Sequence, residues 1–145
     1  MIVSWNELPA LAGQVVMTDG SFDPLHDGHI AYLKAAEEIG YPVLCNIATD
    51  TWTATKHPVL LPQVRRAAVV DAVRYVSYVH CATTSTAAVL LQLKPAVYVK
   101  GQDWLDRGGI PNEELAICNS HRIQIAYLDT VKNSSSRLIN ELRRQ

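Results

Sequence analysis

Apolar runs of strand length alternate with stretches of helical spacing from residue 14 to the end of the chain, and few folds accept that alternation. Strands separated by helices pair in parallel, because a parallel pair needs a long crossover, and that crossover is right-handed. Residues 14–18 (QVVMT), 43–48 (VLCNIA), 76–81, 96–100 (AVYVK) and 123–128 read as five buried strands. Residues 28–39 read as a helix with Ile30, Leu33, Ala36 and Ile39 on one face and Glu37 and Glu38 on another. Further helices are expected over 63–74, with Pro62 suited to its start, and over 85–93, 113–119 and 134–144. The polar segments 49–62 and 101–112 read as loops. The pattern predicts an α/β fold, one domain over residues 1–145, built on a five-stranded parallel sheet with helices on both faces. Such sheets bind ligands beyond the carboxyl ends of their strands, so a site is expected in the loops that follow them.

Composition agrees with a packed domain: apolar residues are 48% and charged residues 19%, outside the range of disordered chains. Thirteen Lys and Arg against 14 Asp and Glu give a net charge of -1, which argues against a nucleic-acid-binding surface but leaves a local anion site open. The apolar stretch 86–93 is far short of a membrane span, and the opening MIVSWNELPA lacks a basic segment followed by an apolar run. No membrane association and a cytoplasmic location are therefore expected. Cys45, Cys81 and Cys118 are odd in number and widely spaced, which reads as reduced core thiols.

The densest chemical signal is Gly20-Ser21-Phe22-Asp23-Pro24-Leu25-His26-Asp27-Gly28-His29, directly after the first strand. Gly20 suits a tight turn and Gly28 a close ligand approach, and His26 and His29 fall at the mouth of the next helix, where free N–H groups favour an anion. Two imidazoles there suit phosphate. The alternatives are a surface turn with two incidental histidines or a metal pair, and two histidines without a third ligand make a weak zinc site.

GSFDPLHDGH resembles the G-x-F-D-x-x-H-x-G-H signature of the cytidylyltransferase-like nucleotidyltransferases, with every fixed position present. Other segments extend the resemblance over residues 3–143. Lys100-Gly101-Gln102-Asp103-Trp104 resembles the K-G-x-D-[YW] segment at the edge of that family's nucleotide pocket. Read this way, Asp103 holds the ribose or base and Trp104 forms an apolar wall; the alternative is a polar turn with Trp104 in the core. Ser134 and Ser135, with Ser136, occupy the place of the family's ISTT or ISSS element at the start of the last helix, where hydroxyls cap the helix and donate to phosphate. Lys132 stands there where a Gly is frequent, and Asn133 where an apolar residue is usual. Lys56-His57-Pro58-Val59 followed by Arg65 resembles the K-x-P-V element and its downstream Arg, which implies that Lys56 reaches the reacting phosphates and Arg65 the acceptor phosphate. A loop Lys is otherwise a solvated charge, Arg66 is expected to be exposed, and Trp52 suits either the acceptor pocket or the core.

The resemblance implies a Rossmann-like fold and transfer of AMP or CMP from ATP or CTP, carried with Mg²⁺, to a phosphorylated small molecule. His26, His29 and Lys56 are the implied catalytic residues. Gly20, Ser21, Phe22, Asp23, Gly28, Lys100, Gly101, Asp103, Trp104, Ser134 and Ser135 are the implied nucleotide contacts; metal ligands are not assigned. A homodimer is implied as well. Within the family, VSWNEL, TDG, HPV with QVRR, and VYVKGQDW are most similar to the adenylyltransferases that make ADP-heptose from a heptose 1-phosphate. Glycerol-3-phosphate cytidylyltransferases also carry a Trp after the G-x-D element and are the competing resemblance. A non-catalytic nucleotide-binding module is the alternative of a different class.

Overall fold

Strand β1 (Val16–Gly20) is the hub of the sheet, with β2 (Val43–Ile47) parallel to it on one side and β4 (Val97–Gly101) on the other. The computed structural model describes residues 1–129. β3 (Tyr78–Cys81) lies outside β2 and β5 (Gln124–Leu128) outside β4, so the order is β3-β2-β1-β4-β5 and every pair is parallel. All five residues of β2 are buried, as expected for a strand covered on both faces.

Helices α1 (Asp27–Glu37) and α3 (Gln63–Asp71) cover one face, where Leu33, Ala36, Ala67 and Val70 pack on Val16, Cys45, Ile47 and Val99. A 3-10 helix (Trp5–Leu11), α4 (Thr86–Leu93) and α6 (Asn112–Ser120) cover the other, packing Leu8, Val89, Leu90 and Cys118 on Met17, Leu44 and Tyr98. The chain runs outward from β1 through β2 to β3, then returns through α4 to place β4 against the free side of β1. That reversal opens a crevice at the carboxyl ends of β1 and β4, the switch point where such sheets take ligands.

The five expected strands are present, the first displaced by two residues toward Gly20. Two expected loops contain single-turn helices, α2 (Asp50–Ala54) and α5 (Gln102–Asp106), each too short for a periodic apolar face to reveal. Thr49 caps α2 by accepting from the Trp52 amide at 3.1 Å. Arg66 is fully buried, not exposed as expected: it shares the inner face of α3 with Ala67 and Val70. The cysteines are free thiols, and burial pushes Cys45 up to about 12 and Cys118 up to about 11, so neither is a ready nucleophile. Among the described residues no helix is long and apolar enough to cross a membrane. The expected helix over 134–144 lies outside the described residues.

Candidate active site

The signature loop begins where β1 ends. Gly20 has no side chain where a Cβ would stand 3.1 Å from the Phe22 ring, so the ring folds back over the strand end. The sharp turn itself falls at Phe22, whose φ of 51° lies in the left-handed region. Its ring meets His29 edge to face at 4.9 Å. The peptide between Asp23 and Pro24 is cis.

His26 and His29 cap α1 reciprocally. His26 Nδ1 accepts from the Gly28 amide at 3.1 Å, and His29 Nδ1 accepts from the His26 amide at 3.2 Å, so imidazoles fill both roles of a capping box. A backbone N–H can only donate, so each Nδ1 is the bare nitrogen and the ring proton sits on Nε2. The rings stack with centroids 3.7 Å apart. Burial, then the neighbouring His26, pushes His29 down to about 3, and burial also lowers His26. Both rings are therefore neutral Nε2–H donors at physiological pH. His29 lines the cavity, and His26 Nε2 is buried with no partner among the described residues.

The cavity has two adjoining lobes. The smaller, about 160 Å³, is lined by Asp19, Gly20, Phe22, His29, Tyr32, Lys100, Gly101, Asp103 and Trp104. The larger, about 800 Å³, shares Asp19, Gly20, Phe22, His29, Lys100 and Trp104 and adds Ser21, Lys56, Asn46, Glu114 and the hydroxyl residues Thr83 to Thr86. It is the size of a pocket for a small organic substrate. Nine implied contacts thus converge here: Gly20, Ser21, Phe22, His29, Lys56, Lys100, Gly101, Asp103 and Trp104.

Four implied contacts do not line it. Asp23 is fully buried, and its two oxygens accept from the amides of Leu60 at 2.8 Å and Leu61 at 2.9 Å; the carboxylate fastens the loop after α2 to the signature. Gly28 is inside the first turn of α1, where its amide serves His26. His26 stands behind His29. Arg65 is on the exposed face of α3, because helical phase that buries Arg66 turns its neighbour about 100° away. Ser134 and Ser135 lie outside the described residues.

Sequence reasoning missed Arg66 and Asp19. The Arg66 guanidinium donates to the carbonyls of Ser21 (2.7 Å), Ala48 (3.0 Å) and Leu61 (2.9 Å) and pairs with Asp50 at 2.6 Å. It ties the signature loop to the end of β2 and to the loop before α3. Asp19 pairs with Lys100 at 2.7 Å, both side chains 10% exposed, and accepts from the Thr86 hydroxyl at 2.9 Å. Lys100 Nζ also stands 4.3 Å over the Trp104 ring. Tyr98 donates to Glu114 at 2.7 Å, and burial raises the Glu114 carboxyl above the usual range. The sequence marked Tyr98 and Lys100 as strand but not which face closes on the crevice, and Asp19 fell just past the end of the expected first strand.

Among the described residues the carboxylates lining the lobes are Asp19, Asp103 and Glu114, and no three His, Cys, Asp or Glu side chains converge as a metal centre. That donor set suits a Mg²⁺ that arrives on a polyphosphate and keeps most of its waters, not a resident ion.

Residues 17–141 match the family model described as cytidylyltransferase-like. The chain is 33% identical over 123 residues to the "Bifunctional protein HldE" of Geobacter sulfurreducens, covering 80% of this chain and 24% of that one. It is 28% identical over 136 residues to that of Geobacter metallireducens, covering 90% and 27%. The chain thus spans about a quarter of the length of these relatives. In fold it is similar to the lipopolysaccharide core biosynthesis protein of Thermoplasma volcanium (TM-score 0.67, 22% identity, 83% of this chain and 98% of that one). The pantothenate synthetase of Thermus thermophilus is also similar (TM-score 0.65, 16% identity, 99% and 69%). With a histidine-capped helix at the switch point of a β3-β2-β1-β4-β5 sheet and a family match over most of its length, this chain belongs to the cytidylyltransferase-like family and is a nucleotidyltransferase.

Proposed function

We propose that the protein transfers AMP or CMP from ATP or CTP to the phosphate of a small molecule, with a sugar phosphate such as heptose 1-phosphate favoured as acceptor, and releases pyrophosphate. The observation that carries this reading is the neutral, Nε2-protonated His29, locked to His26 at the N-terminus of α1 and opening on a cavity large enough for two substrates. The segments similar to ADP-heptose-forming adenylyltransferases support the sugar phosphate.

In the reaction an oxygen of the acceptor phosphate forms a bond to the α-phosphorus, and the bond to the bridging oxygen breaks, with pyrophosphate leaving on that electron pair. A phosphomonoester with a second pKa near 6 is already mostly dianionic at neutral pH, so no base is required. The protein's work is alignment and charge stabilisation. His29 donates a hydrogen bond to a phosphate oxygen without giving up its proton, because the neutral ring is a weak acid. The α1 N-terminus adds its positive end, and Lys56 supplies a mobile cation from the rim. Trp104 and Asp103 hold the nucleoside in the smaller lobe. When bound with the triphosphate, Mg²⁺ would screen its charge, and Asp19 and Asp103, the carboxylates of the smaller lobe, would help to hold it. A cytoplasmic homodimer is part of the same reading.

Pyrophosphate release is measured with ATP and with CTP, each with Mg²⁺, across a panel of phosphorylated acceptors. Release that depends on one acceptor is expected. Tight nucleotide binding with no release from any acceptor refutes transfer and favours a non-catalytic nucleotide-binding module.

A further inference from the structure

One polar side chain in the larger lobe has no partner among the described residues. Asn46 is 2% exposed, lines the lobe, and its Oδ1 makes no hydrogen bond. Buried amides are nearly always paired, so an orphaned one at a cavity wall marks a place where a bound molecule completes the bonding. The position is built into the sheet. In parallel register Asp19 on β1 stands beside Asn46 on β2, and Asn46 beside His80 on β3, so their side chains share one face at the carboxyl edge.

The neighbours define what the molecule must offer. Asp19 is acidic, though neutralised by Lys100; Glu114 lines the same lobe; and Thr83, Thr84, Ser85 and Thr86 face it from the start of α4. This wall has acceptors in excess and few free cations. It suits hydroxyl groups, which donate and accept, and disfavours a carboxylate. Asn46 lines only the lobe away from Asp103, on the side of α2 and α4, where the nucleotide is not expected.

We propose that Asn46 is a specificity-determining residue for the acceptor: its amide receives a hydroxyl of a polyhydroxylated phosphate ester, with Asp19 and Glu114 facing that ester's other hydroxyls. This rests on the nucleotidyl-transfer reading above and extends it to the residue that selects the acceptor. Asn46→Leu keeps the branched shape and removes the amide, and Asn46→Ser supplies a hydroxyl in its place.

Wild type and both variants are compared by pyrophosphate release and by calorimetric titration. The probes are heptose 1-phosphate, glycerol 3-phosphate and phosphoethanolamine, the last without a hydroxyl. Asn46→Leu is expected to raise KM and Kd for a hydroxylated acceptor about tenfold or more, the scale of one lost hydrogen bond. The nucleotide KM and phosphoethanolamine binding should stay within about twofold, and Asn46→Ser should recover part of the loss. The thermal midpoint of Asn46→Leu should not fall, because no internal hydrogen bond is removed. Equal losses for all three acceptors, no change for the hydroxylated ones, or failure of wild type to bind any hydroxylated acceptor overturns the assignment. If wild type releases no pyrophosphate with any probe, transfer fails as a reading. The titrations still decide on Asn46: heat lost selectively in the variant supports it, and equal heat overturns it. Should Asn46→Leu not fold, a structural role for the amide is indicated, and Asn46→Ser with unchanged acceptor preference then overturns the proposal.

Discussion

Replacing Arg66 should damage the molecule more than replacing any signature histidine. Arg66→Met keeps the apolar stem of the side chain and removes the guanidinium, which leaves the carbonyls of Ser21 and Leu61 without their donor and that of Ala48 with only the longer contact from Gln63 Nε2 at 3.4 Å. A buried acceptor left unpaired costs about 1–3 kcal/mol. Ser21 and Leu61 are half-buried, so the lower end applies to each and the sum is about 2 kcal/mol. The ion pair adds little, because Asp50 is 50% exposed and solvent screens it. About 2 kcal/mol is a sizeable part of the 5–15 kcal/mol typical of a domain, and it corresponds to a fall of roughly 6 °C in the thermal midpoint at this chain length. Urea unfolding followed by circular dichroism gives the number directly, provided wild type and variant share the same slope. Arg66→Lys should fall between them, since an ammonium cannot span three carbonyls as a planar fork does. A loss below about 1 kcal/mol for Arg66→Met would show that water replaces the guanidinium freely and that it is not the clasp described above.

Native His29 stays neutral down to about pH 3, whereas an unfolded histidine protonates near 6.5, so between these values the unfolded chain holds more protons. The stability contributed by this group is complete above pH 6.5 and declines as pH falls toward 3, by up to about 1.4 kcal/mol per pH unit. His29→Gln, which keeps the cap acceptor, should flatten the dependence of the urea midpoint on pH between 6.5 and 4; an unaltered slope contradicts a neutral ring. His29→Ala should lower kcat on the order of a hundredfold to a thousandfold, the cost of one preorganised donor, with nucleotide affinity only modestly reduced. Trp104→Ala should raise the nucleotide KM and spare kcat, because it touches a part of the substrate that does not react; a wild-type kcat in His29→Ala would remove the histidine from catalysis. Gly20→Ala places a methyl 3.1 Å from the Phe22 ring and should cost about 1–3 kcal/mol by overpacking. It should also lower kcat through the Phe22–His29 contact, which steady-state kinetics tests; full activity would mean the ring moves without disturbing His29.

The parallel α/β layering and the place of the site beyond the strand ends followed from features local to the sequence, whereas the order β3-β2-β1-β4-β5 came from the packed structure. Alternating apolar runs fix α/β layering, and a glycine followed by two histidines at a strand-to-helix junction marks an anion site, because free amides at a helix start are a property of the backbone itself. Legible in the same way were Ser21, Phe22 and His29, in the segment after β1, and Lys100 and Trp104, at and just past the end of β4. Other roles depended on which side of an element meets its neighbour. Arg65 and Arg66 are adjacent and chemically alike, yet helical phase against the sheet buries one among three carbonyls and leaves the other in solvent. Asp23 reads in sequence as a polar member of the signature, and only the return of the chain at Leu60 and Leu61 occupies its carboxylate. The tautomers of His26 and His29 are set by two hydrogen bonds that no residue pattern specifies. Asn46 is one polar letter in an apolar strand; parallel register alone places it beside Asp19 at the cavity wall. Periodicity is carried by the chain's own geometry, whereas partners for polar groups come from segments tens of residues away, and only the packed structure brings them together.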